Sequence, residues 1–338
     1  MRYDKFRKRF ENEESQGLEK EEYIMRVVQE DDVLRKVTLA AEMYYLYDMP
    51  QKEIADRLGV SRPWVSKLLK KAKEMDIVRI EVNSPLSGSP DLEQKIMNMY
   101  RIDHVSVIRP GAPGDYMNLS VAAANYLISH IRQKDTLGVS WGTSIARMID
   151  HVVDMQLKDV TVVPVVGGAG SDVDCLSNVN ANRLSNALGA GCRLLHANAY
   201  CADRNEYQVL MSNPMTREII DLGEHADIIL VGIGDMEHSR VLEYEYLTAE
   251  DRQQILESTA VGDVAFRFID SGGDEVDIDF NRRVVACDLS AMRKNAREVI
   301  ALAYGTHKAQ AIKAALKGGL LTTLFTDYDT ARILAGEA

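Results

Sequence analysis

The sequence predicts an α/β chain in two parts: an N-terminal winged helix-turn-helix, and a C-terminal, mostly parallel sheet covered by helices. Three observations carry this. Residues 51–72, QKEIADRLGVSRPWVSKLLKKA, read as two short helices joined by a tight turn. Residues 84–90, SPLSGSP, have the composition of a linker, with two prolines, a glycine and three serines. Beyond them, short apolar runs alternate with helical stretches to the end of the chain. That alternation implies parallel strands with helices on both faces.

The first part is justified residue by residue. Val33–Tyr47 carries Leu34, Val37, Ala41, Tyr44 and Tyr45 at helical spacing, a supporting helix. Ile54, Leu58 and Val60 supply the apolar face of the next helix, and Val65, Leu68, Leu69 and Ala72 that of the one after. Ala55 is small where the two would cross. Gly59 falls at the turn, where a positive φ costs glycine little. Ser61 is placed to cap the second helix, and Pro63 lies in its first turn, where a missing N–H does no harm. Ile77–Val82 alternates apolar and charged residues, a strand in the position of a wing.

The outward face of the second helix offers Arg62, Ser66, Lys67, Lys70 and Lys71, and no acid occurs between Ser61 and Lys73. A helix-turn-helix lays its second helix in the DNA major groove with its N-terminal residues on base edges. Arg62, Ser66 and Lys67 would then reach bases or nearby phosphates, and Lys70 and Lys71 the backbone. Gln51 and Ser61 are further candidate contacts. Trp64 either touches a base methyl or packs under the wing. The competing reading is a solvated amphipathic helix pair. The coincidence of turn, cap, crossing residue and charge asymmetry within one stretch favours DNA.

A length of 338 residues suits about two domains. The boundaries expected are a charged extension at 1–32, the winged helix-turn-helix at 33–83, the linker at 84–90 and the α/β domain at 91–338. The net charge of −11 looks wrong for a DNA binder until it is split. Residues 1–90 hold 17 basic and 17 acidic side chains, which leaves 23 basic and 34 acidic for the rest. The acidity belongs to the second part, which would repel DNA and confine contact to the first. Within the extension, Arg7-Lys8-Arg9 either touches phosphates or belongs to a solvated tail. Cys175, Cys192, Cys201 and Cys287 are scattered, with no C-x-x-C and no paired histidines nearby, so reduced thiols are expected rather than disulfides or a zinc site. No signal peptide is evident, and no apolar run approaches the ~18 residues of a membrane span. A cytoplasmic protein with no membrane partner and no cofactor is expected.

In the second part Leu92–Tyr100 reads as a helix, His104–Ile108 as a strand, Leu119–Ile131 as a helix and Thr136–Ser140 as a strand. Thr143–Val153 then reads as a helix, Val160–Val166 as a strand, Asn180–Leu188 as a helix, and Arg193–His196 and Ile228–Gly232 as strands. Thr248–Glu257, Val264–Phe268, Val284–Ala286, Val299–Ala303, His307–Leu316, Leu321–Phe325 and Thr330–Leu334 continue the alternation. Open parallel sheets bind ligands beyond the carboxyl ends of their strands. After Ser140 comes Trp141-Gly142-Thr143-Ser144, which either receives a phosphate on its N–H groups or is a plain helix cap. Gly167–Ser171, including Gly168, and Gly232–Asp235 are further glycine-bearing turns, neither matching a dinucleotide fingerprint. Lys308 opens a helix against its dipole, which a bound anion would offset; a lysine reaching to solvent is the alternative. Asp263 either accepts hydrogen bonds from sugar hydroxyls or is a turn aspartate.

Taken together, six stretches resemble the SorC/DeoR-type sugar-binding transcriptional regulators of bacteria: MYYLYDMPQKEIADRLGVSRPWVSKLLKKAKEMDIVRIEV, LGVSWGTSIARMI, VVPVVGGAG, ADIILVGIGD, VGDVAFRFID and YGTHKAQAIKAALKGGLLTTLFTD. They occur in the family's order and are spread along the chain from residue 43 to residue 327. The resemblance implies an effector domain akin to sugar-phosphate isomerases and glucosamine-phosphate deaminases, a phosphorylated sugar as inducer, and a homo-oligomer, a dimer or the family's tetramer, on operator DNA. It places phosphate-holding hydroxyls at Thr143 and Ser144, a phosphate lysine at Lys308 and a sugar-hydroxyl acceptor at Asp263. Gly142, Gly168 and Asp235 complete the candidate effector site. Tyr304 stands where many members have a second glycine, a change that would narrow the pocket, and the extension at 1–32 is longer than usual.

The expected function is therefore a regulator of carbohydrate metabolism, not an enzyme. The rival is a sugar-phosphate isomerase or deaminase with an appended DNA-binding domain. Its supporting feature is Asp235-Met236-Glu237-His238, which has an acid and a histidine without the deaminases' longer motif. A recombinase fails for want of a serine or tyrosine nucleophile clustered with arginines.

Overall fold

The computed structural model describes residues 20–75, 77–78, 88–109, 116–168, 176–244 and 247–337, with side chains from 33 onward. The chain divides into two compact units, Met1–Asn83 and Ser84–Ala338.

In the first unit α1 spans Lys20–Tyr45, α2 Gln51–Leu58 and α3 Arg62–Glu74. The supporting helix therefore starts in the charged extension, well before Val33. Residues 20–32 hold three Glu with Lys20, Met25, Arg26 and Gln29, good helix formers, and the charged residues among them break the apolar periodicity that would mark a helix. Val37, Ala40 and Ala41 of α1 meet Ile54 and Ala55 of α2 and Val65, Leu68, Leu69 and Ala72 of α3 in one core. Gly59 ends α2 with φ 63, the left-handed conformation expected of it. Ser61 takes the N-cap position but makes no side-chain cap hydrogen bond, against expectation. Its carbonyl does the local work, accepting from Trp64 and Val65 N–H at 2.9 and 3.1 Å. Ile77 and Val78 are not a strand: both N–H groups return to the Ala72 carbonyl, closing α3 while their side chains pack on the core. Residues 79–82 of the expected wing, residues 84–87 of the expected linker and the Arg7-Lys8-Arg9 cluster lie outside the described residues.

The second unit runs α4 (Pro90–Tyr100), β1 (His104–Ile108), α5 (Met117–His130), β2 (Thr136–Val139), α6 (Thr143–Ile149), β3 (Thr161–Pro164), α7 (Ser177–Leu188) and β4 (Gly191–Cys192). There follow α8 (Arg204–Ser212), α9 (Pro214–Glu224), β5 (Ile228–Asp235), α10 (Ala249–Glu257), β6 (Gly262–Val264), β7 (Arg267–Ile269), α11 (Leu289–Asn295), β8 (Glu298–Leu302), α12 (Ala309–Lys317), β9 (Thr323–Asp327) and α13 (Tyr328–Leu334). Seven strands form a parallel sheet in the order β1-β9-β8-β5-β2-β3-β4. Both faces are covered. Ile228 and Leu230 of β5 join a core with α5, α6 and α7, while Ile229 and Val231 join the opposite core with α4, α9, α12 and α13. A strand buried on both faces needs an unbroken apolar run, and Ile228–Val231 is one.

Several elements depart from the expected ones. Pro90 opens α4 rather than ending the linker. The strand expected at 193–196 lies at Gly191–Cys192. The single strand expected at 264–268 is a hairpin, because Ala265 and Phe266 both take positive φ (49 and 72) in a two-residue turn between β6 and β7. Residues 284–286 make only isolated bridges, Val284 to Tyr200 and Ala286 to Val166. Helices α8, α9 and α11 were not foreseen.

Candidate functional site

The strand order reverses between β2 and β5. From β2 the chain moves outward to β3 and β4, then returns to β5 on the other side of β2 and continues to β8. Connections leaving β2 and β5 thus diverge, and the crevice between them is where open α/β sheets receive ligands. A pocket of about 110 Å³ lies there. It is lined by Trp141–Ser144 after β2, Gly232–Gly234 on β5, His238 and Arg240 beyond β5, Asp263 of β6 and Lys308 before α12.

Each wall has a local cause. Gly142 caps α6 with φ 122, a conformation that side chains with a Cβ rarely adopt. The first bond of α6 is Ala146 N–H to the Gly142 carbonyl at 3.0 Å. The N–H groups of Thr143, Ser144 and Ile145 therefore have no place in the helix ladder. Because α6 has only 7 residues, those N–H groups and the two hydroxyls matter more than any macrodipole. The Trp141 ring packs edge-on against Phe266 of the hairpin turn at 5.1 Å, tying the loop after β2 to the β6–β7 hairpin.

Strand β5 runs past the sheet's edge. Residues 228–232 pair in parallel with β8, while Ile233–Asp235 turn to pair antiparallel with β6. That overshoot brings Asp263 directly over Gly234, where a Cβ would collide with its carboxylate. Asp263 is buried, and burial pushes its pKa up to about 7 against the counter-pull of the Lys308 charge. The Lys308 ammonium donates to the Ile233 carbonyl at 2.9 Å, which anchors it at the pocket wall rather than in solvent. It sits in a 3-10 turn, Thr306–Lys308, one residue ahead of α12 rather than within it.

Asp235, next on β5, is 4% exposed. Its Oδ1 accepts from Glu237 and His238 N–H at 3.0 and 2.9 Å and lies 3.3 Å from His238 Nδ1. Burial acts to raise its pKa, but the hydrogen bonds from the His238 backbone and side chain, with the electrostatic pull of His307 and Lys308, outweigh it, and the carboxyl is held below its usual range.

Of the residues expected at an effector site, the fold brings Gly142, Thr143, Ser144, Asp263 and Lys308 together around one pocket. Asp235 lies behind the wall, bonded to its own turn. Gly168 is elsewhere, bridged to Asn198 with its N–H on the Ala197 carbonyl. Tyr304 does not narrow the pocket: it stacks on Tyr116 at 3.9 Å and receives a hydrogen bond from Arg147. Arg240 was missed, and no local signal marks it, since it follows a turn after β5 whose length cannot be read from periodicity. His238, which the sequence offers only as part of an acid–histidine pair, also lines the pocket.

In the first unit, Ser61, Arg62, Ser66, Lys67, Lys70 and Lys71 are all exposed, and Gln51 is half-buried at the head of α2. Lys70 lies 3.8 Å from Glu74, an exposed pair. Trp64 is 44% exposed, with the Lys67 ammonium 5.9 Å from its ring centre. Val65, Leu68, Leu69 and Ala72 of α3 face the core, so its basic side chains share the outward face with Trp64.

A helix-turn-helix unit joined to an α/β unit with a polar crevice at its switch point defines a DNA-binding regulator of the sugar-binding class. The chain belongs to the SorC/DeoR-type sugar-binding transcriptional regulators. The sugar-binding domain family matches residues 84–335, and the sigma-70 region 4 family matches residues 42–74. The chain is 30% identical over 305 residues to the transcriptional regulator LsrR of Escherichia coli K12, covering 88% of this chain and 93% of that protein. It is 29% identical over 302 residues to the deoxyribonucleoside regulator of Bacillus subtilis, covering 88% and 96%. A DeoR family regulator from Listeria monocytogenes aligns at TM-score 0.67 and 27% identity, over 72% of this chain and 98% of that one. The full-length sorbitol operon regulator SorC from Klebsiella pneumoniae shares the fold at TM-score 0.69 and 24% identity, over 90% and 99%.

Proposed function

We propose that this protein is a cytoplasmic transcriptional regulator of a carbohydrate-metabolism operon whose operator affinity is set by a phosphorylated sugar, and that it works by binding rather than turnover. The observation that carries the effector class is the pairing of cations with open donors in one crevice. Lys308 and Arg240 bring positive charge, while Gly142–Ile145 brings N–H groups and two hydroxyls. A phosphate dianion uses charged donors and outward-facing N–H groups together. Asp263, on the lining of the same pocket, bonds sugar hydroxyls of the ligand in this reading, and its raised pKa softens repulsion toward the phosphate. Arg62, Ser66 and Lys67 of α3 read the operator, with Gln51, Ser61, Trp64, Lys70 and Lys71 contributing contacts, and the chain acts as a homo-oligomer, a dimer or tetramer. A panel of sugar phosphates in a thermal-shift assay tests this. A true effector at 100 times its dissociation constant adds about 2.7 kcal/mol of stability. A panel in which no sugar phosphate stabilises the protein, or one in which a sugar phosphate is converted to product, would sink the reading.

A further inference from the structure

Among the described residues, one group of three side chains has metal-ligating chemistry within reach of a single ion: Asp235, His238 and His307, whose ligand atoms all lie within 4.8 Å of one another. They come from different elements, the end of β5, the turn after it, and the 3-10 turn before α12. A second, independent observation points to a ligand. Asp235 is almost fully buried, yet its Oδ2 has no hydrogen-bond partner. His307 Nε2 stands 3.7 Å from it, too far for a hydrogen bond. A buried carboxylate oxygen left this way is costly unless something else coordinates it. The histidine rings meet edge-to-face at 4.9 Å, and Gly305 (φ 95) leaves the room against the His307 ring that a Cβ would fill.

We propose that Asp235 Oδ2, His238 and His307 bind a divalent transition cation of the zinc type at the rim of the pocket. The donor set is right for it: two imidazoles and a carboxylate suit zinc and its neighbours and not magnesium or calcium, which prefer all-oxygen shells. A tetrahedral zinc ion holds its ligands at about 2.0–2.2 Å, hence about 3.4 Å apart. Both histidines are exposed and close the remaining distance by rotating their side chains. With three protein ligands, a fourth position stays open. It borders the space that His238 and Lys308 line, where an oxygen of a pocket ligand would complete the shell. The cluster stands whether or not the pocket takes a sugar phosphate, so the two readings fail separately.

Zinc chloride titrated by calorimetry into untagged, chelator-treated full-length protein tests the site, with cobalt substitution followed by visible absorbance. The expected result is one ion per chain and an intense cobalt d–d band of a low-coordinate site. His238→Ala and His307→Ala should each weaken binding at least about ten-fold, and the double variant should abolish the band. His225→Ala, an exposed histidine elsewhere, should change nothing, and circular dichroism checks that each variant is folded. Absence of stoichiometric binding in the wild type, or unchanged affinity in the folded double variant, overturns the proposal.

Discussion

Lys308 reaches the pocket wall by a hydrogen bond to the Ile233 carbonyl, so its ammonium is held where an anion would sit. Removing it deletes a charge-assisted hydrogen bond. Lys308→Ala should therefore weaken effector binding by about 1.5–3 kcal/mol and leave operator binding without effector intact. Calorimetry with the effector found in the panel measures this, and equal affinities would place the phosphate elsewhere. Asp263 gives a second test at this scale. Its folded pKa of about 7 lies above the ordinary value of 3.8. The folded protein thus keeps a proton that the unfolded chain has released, and stability falls as pH rises between those values, levelling above about 7. Urea midpoints at pH 5 and pH 8 should show a larger loss for wild type than for Asp263→Asn, by on the order of 2–4 kcal/mol. The same loss in both proteins would mean that Asp263 does not titrate in that window.

At the scale of elements, the pocket depends on β5 outrunning its sheet and on the β6–β7 hairpin lying close upon it. Gly234 and Gly262 make that approach possible, since a Cβ on Gly262 would strike the Gly234 carbonyl. Gly234→Ala should lift the hairpin, weaken effector binding at least ten-fold and cost about 1–3 kcal/mol of stability; unchanged binding would show that the hairpin does not shape the pocket. Helix α3 carries the matching prediction for DNA. Arg62→Ala should weaken operator binding by about 1–3 kcal/mol and relax preference at one base position if its contact is bidentate to guanine. Lys70→Ala should weaken all DNA nearly equally and lower the salt slope by about 1. Gel-shift titrations at two salt concentrations separate the two behaviours.

For the molecule as a whole, one recognition helix reads few base pairs. A symmetric assembly should bind repeated half-sites spaced by whole turns of about 34–36 Å. Footprinting with sedimentation checks this, and a monomer protecting one asymmetric half-site would contradict it. The charge division points the same way: residues 91–338 carry the net charge of −11, which repels a polyanion, so removing acidic side chains there should raise non-specific DNA affinity.

By itself the sequence determined what local physics writes into neighbouring residues. The α2–turn–α3 unit was legible because Gly59, Pro63 and the apolar spacing act within a few positions of one another. The parallel sheet was legible because strands buried on both faces must be continuously apolar, as Ile228–Val231 is. Thr143, Ser144 and Lys308 could be named as separate strand-end residues. Only the tertiary structure decided which strand ends meet. The reversal between β2 and β5 gathers Ser144, Asp263 and Lys308 around one crevice and leaves Gly168 outside it. The positive-φ turn at Ala265–Phe266 makes the expected strand at 264–268 a hairpin, and tertiary packing sets His307 beside Asp235 and His238. The crevice rests on strand order, and strand order is fixed by pairings between residues far apart in the chain, Leu137 with Ile228 and His104 with Thr323 among them, which no periodicity within a single element records.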